Sequence, residues 1–264
     1  MSKFEFDGKA YRKASAHQKK LGMKILDGLP LSGGESVLDL GCGDGTLTKQ
    51  LSELVPNGKV VGIDSAEAMI AAAKELEADN LSFRRLDIND MLFDGEFDLL
   101  FSNATIHWVG DHERLLARCH AALRPNGMLR FGFAAKGNTG TLSGVIREVM
   151  QRPPYRDAFA SFVWPWFMPT VDEYRELVRN AGFTDAELWT EDVVRYFESA
   201  EQMTGWIDQP VIIPFVRAVP EQLKQPFRDE VVEGMVAAAR QPDGRFLETF
   251  NRMNLFASKP AARE

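Results

Sequence analysis

Apolar and polar positions follow two different rhythms along this chain. Short strand-like runs fall at 36–40, 59–63, 81–86, 97–102 and 127–134. Helical patterns near 46–55, 66–77 and 111–123 lie between several of them. In the third, Leu115, Leu116, Cys119 and Leu123 fall at i, i+1, i+4 and i+8, a single stripe, and Pro125-Asn126-Gly127 predicts a stop and a turn. Strands alternating with helices predict βαβ units and a parallel sheet.

The second half is less regular. A link containing Gly137 and Gly140 leads to a helix over 141–151 and an aromatic segment from Phe159 to Phe167. Val171 to Ala181 reads as a helix closed by Gly182. Residues 184–197 and 248–258 read as extended, and 199–245 as helical with interruptions at Pro210, Pro214, Pro220 and Pro226. The expected organisation is an N-terminal lid helix (1–30), a ligand-binding core (31–135) and a cap insertion (136–170). A continuation of the core (171–198), a helical cap insertion (199–245) and a final strand with tail (246–264) complete it. Lid and caps are expected over the C-terminal ends of the strands, where open α/β sheets bind ligands.

Charge narrows the partners. A net charge of −7 disfavours bulk nucleic-acid binding, which needs a basic surface. Residues 1–30 depart from it, with Lys3, Lys9, Arg12, Lys13, Lys19, Lys20 and Lys24 against Glu5, Asp7 and Asp27. That excess fits a solvated helix face or attraction of an anionic small substrate. No apolar stretch approaches a membrane span, and Met1 to Gly8 has no apolar leader region, so a cytoplasmic protein without a membrane partner is expected. Cys42 and Cys119 are too few and too far apart for a metal site or disulfide framework, and no metal is expected.

The chemistry gathers at Val37-Leu38-Asp39-Leu40-Gly41-Cys42-Gly43-Asp44-Gly45 and at Val60-Val61-Gly62-Ile63-Asp64. Glycines at every second position permit a tight turn and close approach of a ligand to the backbone. The helix that follows offers free amides to an anionic group, and a carboxylate at the end of the second strand suits two ribose hydroxyls. Thr46 stands where a dinucleotide fingerprint needs Gly or Ala, which disfavours a nicotinamide cofactor.

The G-x-G-x-G run with Asp39 two residues upstream resembles the first motif of the class I S-adenosylmethionine-dependent methyltransferases. That resemblance implies a Rossmann-like α/β fold, with a seven-stranded sheet, helices on both faces and a mainly helical cap. The implied cofactor is S-adenosyl-L-methionine, with S-adenosyl-L-homocysteine as product. It implies Asp39, Gly41, Cys42, Gly43, Asp64 and Ser65 around the donor, and Asp87 and Ile88 at the adenine corner. Met69 would pack on adenine, though it also reads as a core methionine. Asn103 and Ala104 would face the methionine moiety.

Tyr11 to Gln18 resembles the N-terminal lid of juvenile hormone acid and trans-aconitate methyltransferases, and Ile106-His107-Trp108-Val109 their segment after the fourth strand. Those relatives methylate small carboxylic acids. The resemblance puts Tyr11 and Gln18 near the donor, and Gln18, His107 and Trp108 at the acceptor. The segment Asn103-Ala104-Thr105-Ile106 lacks the Asn/Asp-Pro-Pro-aromatic motif of DNA-base and glutamine amine methyltransferases. His107 reads either as a base toward a hydroxyl or amine acceptor or as a ring that shapes the site. His17 and His112 read as exposed helix residues. Phe159, Phe162, Trp164, Trp166 and Phe167 read as a water-excluding wall or as cap core, and Arg147, Arg156, Arg195 and Arg217 as candidate carboxylate forks.

The leading expectation is methyl transfer to a small-molecule acceptor such as a carboxylate, by a monomer or weak dimer. Transfer to nitrogen, carbon or hydroxyl is the runner-up. A nicotinamide-dependent oxidoreductase and a non-catalytic cofactor-binding subunit remain as competitors.

Overall fold

The computed structural model describes residues 22–26 and 28–262, except for the side chains of Gln209 and Pro210. Seven strands form one sheet in the order β3-β2-β1-β4-β5-β7-β6. They are β1 (Ser36–Leu40), β2 (Lys59–Asp64), β3 (Leu81–Arg85), β4 (Phe97–Asn103), β5 (Leu123–Ala134), β6 (Thr184–Phe197) and β7 (Phe246–Ser258). The pairs β1–β2, β2–β3, β1–β4 and β4–β5 are parallel, and β7 runs antiparallel to β5.

Strand alternation assigns side chains to two cores. Val37, Val60, Leu99 and Phe101 face α1 (Thr46–Leu54) and α2 (Glu67–Ala73), meeting Leu51, Val55, Ile70 and Ala73. Leu38, Leu40, Leu100, Leu129 and Phe131 face the other way, toward Leu115, Leu116 and Cys119 of α3 (His112–Ala122) and Tyr174 and Val178 of α5 (Val171–Asn180). Each such Leu, Val or Ile contributes about 1.5–3 kcal/mol relative to exposure. With both faces covered, the central strands β1, β2 and β4 carry nearly continuous apolar runs.

The chain divides into two compact units. One holds the described residues up to Lys136, then Trp166–Glu191 and Arg252 onward, including the parallel part of the sheet. The other holds Gly137–Pro165 and Asp192–Asn251. Within this second unit, α4 (Gly140–Met150) packs on α8 (Glu221–Ala239), and a Cβ on Gly234 would come 2.8 Å from Val145 Cγ1. Leu142, Ile146, Val149, Phe227, Val231 and Met235 are buried there. The enclosed Glu248 accepts from the Leu142 amide at 2.9 Å, satisfying a first-turn donor of α4.

Local expectations changed at several places. Pro226 does not interrupt its segment: α8 runs unbroken from Glu221 to Ala239. The proline forfeits one amide bond in the second turn, and the buried stripe of Phe227, Val231, Met235 and Ala239 holds the helix together. Pro214 and Pro220 instead sit at the starts of α7 (Ile213–Ala218) and α8, where no amide donor is needed. Ala200–Trp206 forms α6, followed by a π-helical turn over Ile207–Val211. Pro125-Asn126-Gly127 lies inside β5, which begins at Leu123 with an irregular register against β4 and Asn126 at φ 63°. No helix among the described residues is long and apolar enough to cross a membrane.

Candidate active site

The glycine loop follows β1 and is tied to β2 by the Gly41 and Cys42 amides, which both donate to the Ile63 carbonyl at 2.8 and 2.9 Å. Gly41 and Gly43 have φ of 75° and 55°. A Cβ at Gly41 would lie 2.0 Å from Thr105 Cγ2, whereas one at Gly43 would meet nothing within 4 Å. The loop is therefore packed against the fold at Gly41 and open at Gly43, where a ligand can reach the main chain.

Asp64 closes the turn. Its Oδ2 accepts from the Gly43 amide at 3.0 Å and its Oδ1 from the Ala66 amide at 2.8 Å. Each oxygen keeps capacity for a second donor, the geometry a vicinal diol needs. Burial raises its pKa, the Ala66 and Gly43 amides oppose that, and the charge of Asp87 adds to it. Asp87 caps the short turn Ile88–Asp90 by accepting from the Asn89 amide at 2.8 Å. Met69 and Ile88 are buried, and Ser65 is exposed with its carbonyl accepting from Arg85 Nε at 3.3 Å.

Asp39 supports the loop from beneath: it is 2% exposed and accepts from Thr48 Oγ1 at 2.7 Å. Burial pushes its pKa up to about 7 against the Thr48 hydrogen bond, with the charge of Asp64 adding. The Cys42 thiol is raised by burial and then by Asp39 and Asp64, so it stays protonated and gives the loop backbone and bulk. Together, the open Gly43, the pinned Asp64 carboxylate and the apolar Met69 and Ile88 fit an adenosine donor.

Asn103 ends β4 and is level with the glycine loop, since Asp39 pairs with Phe101 two residues earlier in each strand. Ala104 takes a left-handed φ of 58°, a strained conformation for a residue with a Cβ, and its amide donates to the Gly132 carbonyl at 2.7 Å. Thr105 Oγ1 donates to the Gly41 carbonyl at 3.1 Å, joining this strained turn to the loop.

His107 is half-buried, with Nδ1 enclosed and unpartnered. Burial, then the charges of Arg252 and His112, push its pKa down to about 3. Trp108 is 38% exposed and meets Trp166 edge-on at 5.6 Å. His112 corrects the sequence expectation: it is 3% exposed, with Nδ1 2.9 Å from Tyr174 Oη and Nε2 3.0 Å from the Ile106 carbonyl. It is the first residue of α3, and its ring turns inward onto Phe167 at 4.3 Å, so burial lowers its pKa to about 4.

The aromatic segment divides between the units. Phe159, Phe162 and Trp164 pack on Phe227 and Phe215 at 5.0–5.3 Å, as core of the second unit. Trp166 and Phe167 belong with Trp108 and His112, and the Phe167 amide donates to the His107 carbonyl at 2.8 Å. Among the candidate forks, Arg147 stacks on Trp164 at 3.8 Å, Arg156 and Arg217 are exposed, and Arg195 lies over Phe197 at 4.4 Å. Tyr11, His17 and Gln18 lie outside the described residues.

Sequence reasoning passed over Arg252 in β7. It is 5% exposed, and its Nη2 donates to Asn103 Oδ1 at 2.8 Å. The signal was a basic residue inside an extended run whose neighbours Met253, Leu255 and Ala257 are all apolar core.

Strand order, with its switch point between the parallel neighbours β1 and β4, the glycine loop and the ribose-type acid define a class I methyltransferase site using S-adenosylmethionine. The chain matches the Methyltransferase domain family over residues 31–195 and belongs to it. It is 32% identical over 256 residues to the trans-aconitate 2-methyltransferase of Paracidovorax citrulli, covering 95% of this chain and 97% of that one. The same-named protein of Deinococcus radiodurans is 31% identical, covering 85% and 86%. Among solved structures, the phosphoethanolamine N-methyltransferase 2 of Haemonchus contortus in complex with S-adenosyl-L-methionine has a TM-score of 0.62 at 19% identity, over 96% of this chain and 56% of that longer one. The YcgJ protein of Bacillus subtilis matches with TM-score 0.62 at 13% identity, over 93% of this chain and 100% of that one. At such identities these structures establish the fold.

Proposed function

We propose that this methyltransferase transfers the methyl group to a carboxylate oxygen of a small organic acid. The observation that carries the reading is the state of His107. Its Nδ1 is enclosed and without a partner, and burial holds its pKa down to about 3, so the ring is a weak base at physiological pH and favours an acceptor that needs none. A carboxylate is ionised at neutral pH and needs no base; an alcohol or ammonium acceptor does. Full-length similarity to proteins named trans-aconitate 2-methyltransferases supports the same substrate class.

Gly43, Asp64, Asp87, Ile88 and Asn103 would hold the donor, and His107, Trp108 and Trp166 would border the acceptor. Bound there, S-adenosylmethionine supplies a methyl group activated on a sulfonium: the acceptor oxygen forms the C–O bond as the C–S bond breaks, the electron pair stays on sulfur, and no proton moves. The chain's task is alignment and exclusion of water, and alignment of this kind is worth on the order of 7–11 kcal/mol. Trp108 and Trp166 supply apolar surface, and the enclosed His107 ring adds bulk without charge.

The test is transfer of radiolabelled methyl to trans-aconitate, other organic acids, phenols and amines, by the wild type and His107→Gln. Expected is labelling of acids with a rate independent of pH between about 6 and 9, and a variant within about threefold of wild type. Labelling confined to amines or phenols, or a hundredfold loss in the variant, would sink the proposal.

A further inference from the structure

Arg252 stands where a buried cation has little structural purpose. Of its five donors, Nη2 reaches Asn103 Oδ1 at 2.8 Å, while Nε is enclosed and unpartnered. Among the described residues it has no ion-pair partner. Glu191 acts on it only at a distance, and Glu191 Oε1 accepts from Asn254 Nδ2 at 3.3 Å. Arg130 adds a second positive charge to the same surroundings. Holding a guanidinium away from water with one neutral acceptor costs several kcal/mol unless an anion joins it.

The sheet is built to admit this side chain. Arg252 pairs with Ala134 of β5, and two residues back along β5 Gly132 pairs with Asn103 of β4. Arg252, Gly132 and Asn103 share one face, opposite the one buried by Met253, Leu255 and Phe131. A Cβ on Gly132 would lie 2.6 Å from Arg252 Nη2 and 2.4 Å from Ile25 Cδ1. The missing side chain at Gly132 is thus the slot through which Arg252 crosses β5 to β4.

Position along the sheet says which anion it meets. Asp87 follows β3, Asp64 ends β2, the glycine loop follows β1 and Asn103 ends β4, in the spatial order of the strands. Arg252 enters from β7, beyond β5, on the side away from the adenosine-type contacts. Its charge is felt at His107, beside Trp108. A cation gripping the attacking carboxylate would blunt its nucleophilicity and lose its partner on transfer. One gripping a second carboxylate keeps its partner throughout.

We propose that Arg252, passed through the Gly132 slot and braced by Asn103, is the residue that selects the acceptor by binding a carboxylate other than the one methylated. This rests on the carboxylate reading above and adds that the acid carries at least two such groups. The planar fork can take a carboxylate in a bidentate grip that Lys cannot reproduce.

The experiment compares the full-length wild type, Arg252→Gln, Arg252→Lys and Gly132→Ala. S-adenosylhomocysteine affinity is measured by calorimetry, and kcat and KM with trans-aconitate and a series of di- and monocarboxylic acids. Expected are a wild type preferring polyacids, a KM raised at least thirtyfold in Arg252→Gln with partial rescue in Arg252→Lys, and the polyacid preference lost. S-adenosylhomocysteine affinity should stay within twofold. Gly132→Ala leaves the charge in place but blocks the slot, and should reproduce the KM effect if the arginine variants fold poorly. The proposal falls if Arg252→Gln keeps its KM, if monocarboxylic acids serve the wild type equally, or if S-adenosylhomocysteine affinity falls tenfold, since the fork would then hold the donor. Labelling of amines alone fails the carboxylate reading as well, and absence of S-adenosylhomocysteine binding to the wild type fails the donor site itself.

Discussion

The proposed donor side and the proposed acceptor side of this site are made differently. The glycine loop proposed for the donor is built largely from backbone: the Gly41 and Cys42 amides tie the loop down, Gly43 leaves it open, and Asp64 is pinned by two amides. Most of the donor side's parts are close in sequence, from Asp39 to Ile88. The proposed acceptor side draws on His107, Trp108, Trp166 and Arg252, side chains carried in from far apart, with Arg252 passing Gly132 to reach Asn103 at the edge of the donor side. They are held by packing, and their charges are tuned by burial. A backbone cradle accepts one donor and tolerates change in surrounding side chains. A side-chain cradle lets acceptor choice shift by a few substitutions without disturbing the donor.

The largest test of that division is Asp64→Ala. It removes the acceptor of two amides and of the proposed diol, and should weaken S-adenosylhomocysteine binding at least a hundredfold by calorimetry. The circular dichroism spectrum should be retained. Intact affinity would mean that the loop is not the donor site. Next is Tyr174→Phe, which strips the partner from His112 Nδ1 in an enclosed place. It should cost about 1–3 kcal/mol in chemical denaturation. Its S-adenosylhomocysteine affinity should be unchanged, and a loss matching that of Asp64→Ala would erase the distinction between the two sides.

The smallest expected effect is at Asp39. Its folded pKa of about 7 lies above its ordinary value of 3.8, so the native state binds its proton more tightly than the unfolded chain does. The stabilisation from that proton is full below pH 3.8 and is lost as pH rises through 7. Asp39→Asn should therefore raise the thermal midpoint above pH 7, by on the order of 1 kcal/mol in stability, with the gain gone near pH 4. A gain that grew on acidification would reverse the assignment.

Legibility in the sequence followed the same division. Strands β1 to β4 were found within a residue or two: β1, β2 and most of β4 are buried on both faces and carry near-continuous apolar runs, while β3 alternates Leu81 and Phe83 inward with polar residues. The Asp39 to Gly45 motif and Asp64 were readable because each residue there meets a local backbone demand. His112 was misread: position one of α3 resembles any polar helix start, and only Phe167 and Tyr174, arriving from elsewhere, make it core. Pro226 was misread because a buried stripe outweighed one missing hydrogen bond. The aromatic run looked like one cluster, yet the chain crosses between its two units at Pro165–Trp166.

The sequence by itself determined the methyltransferase class and the cofactor, and it singled out the glycine loop and Asp64 as the proposed donor site. Those depend on strand periodicity, glycine spacing and an acid at a strand end, all short-range properties. Only the tertiary structure brought Arg252 past Gly132 to Asn103, 149 residues away, and made His107 neutral. Strand pairing between distant segments and the loss of solvent around a charge have no local signature, so no reading of spacing could have supplied them.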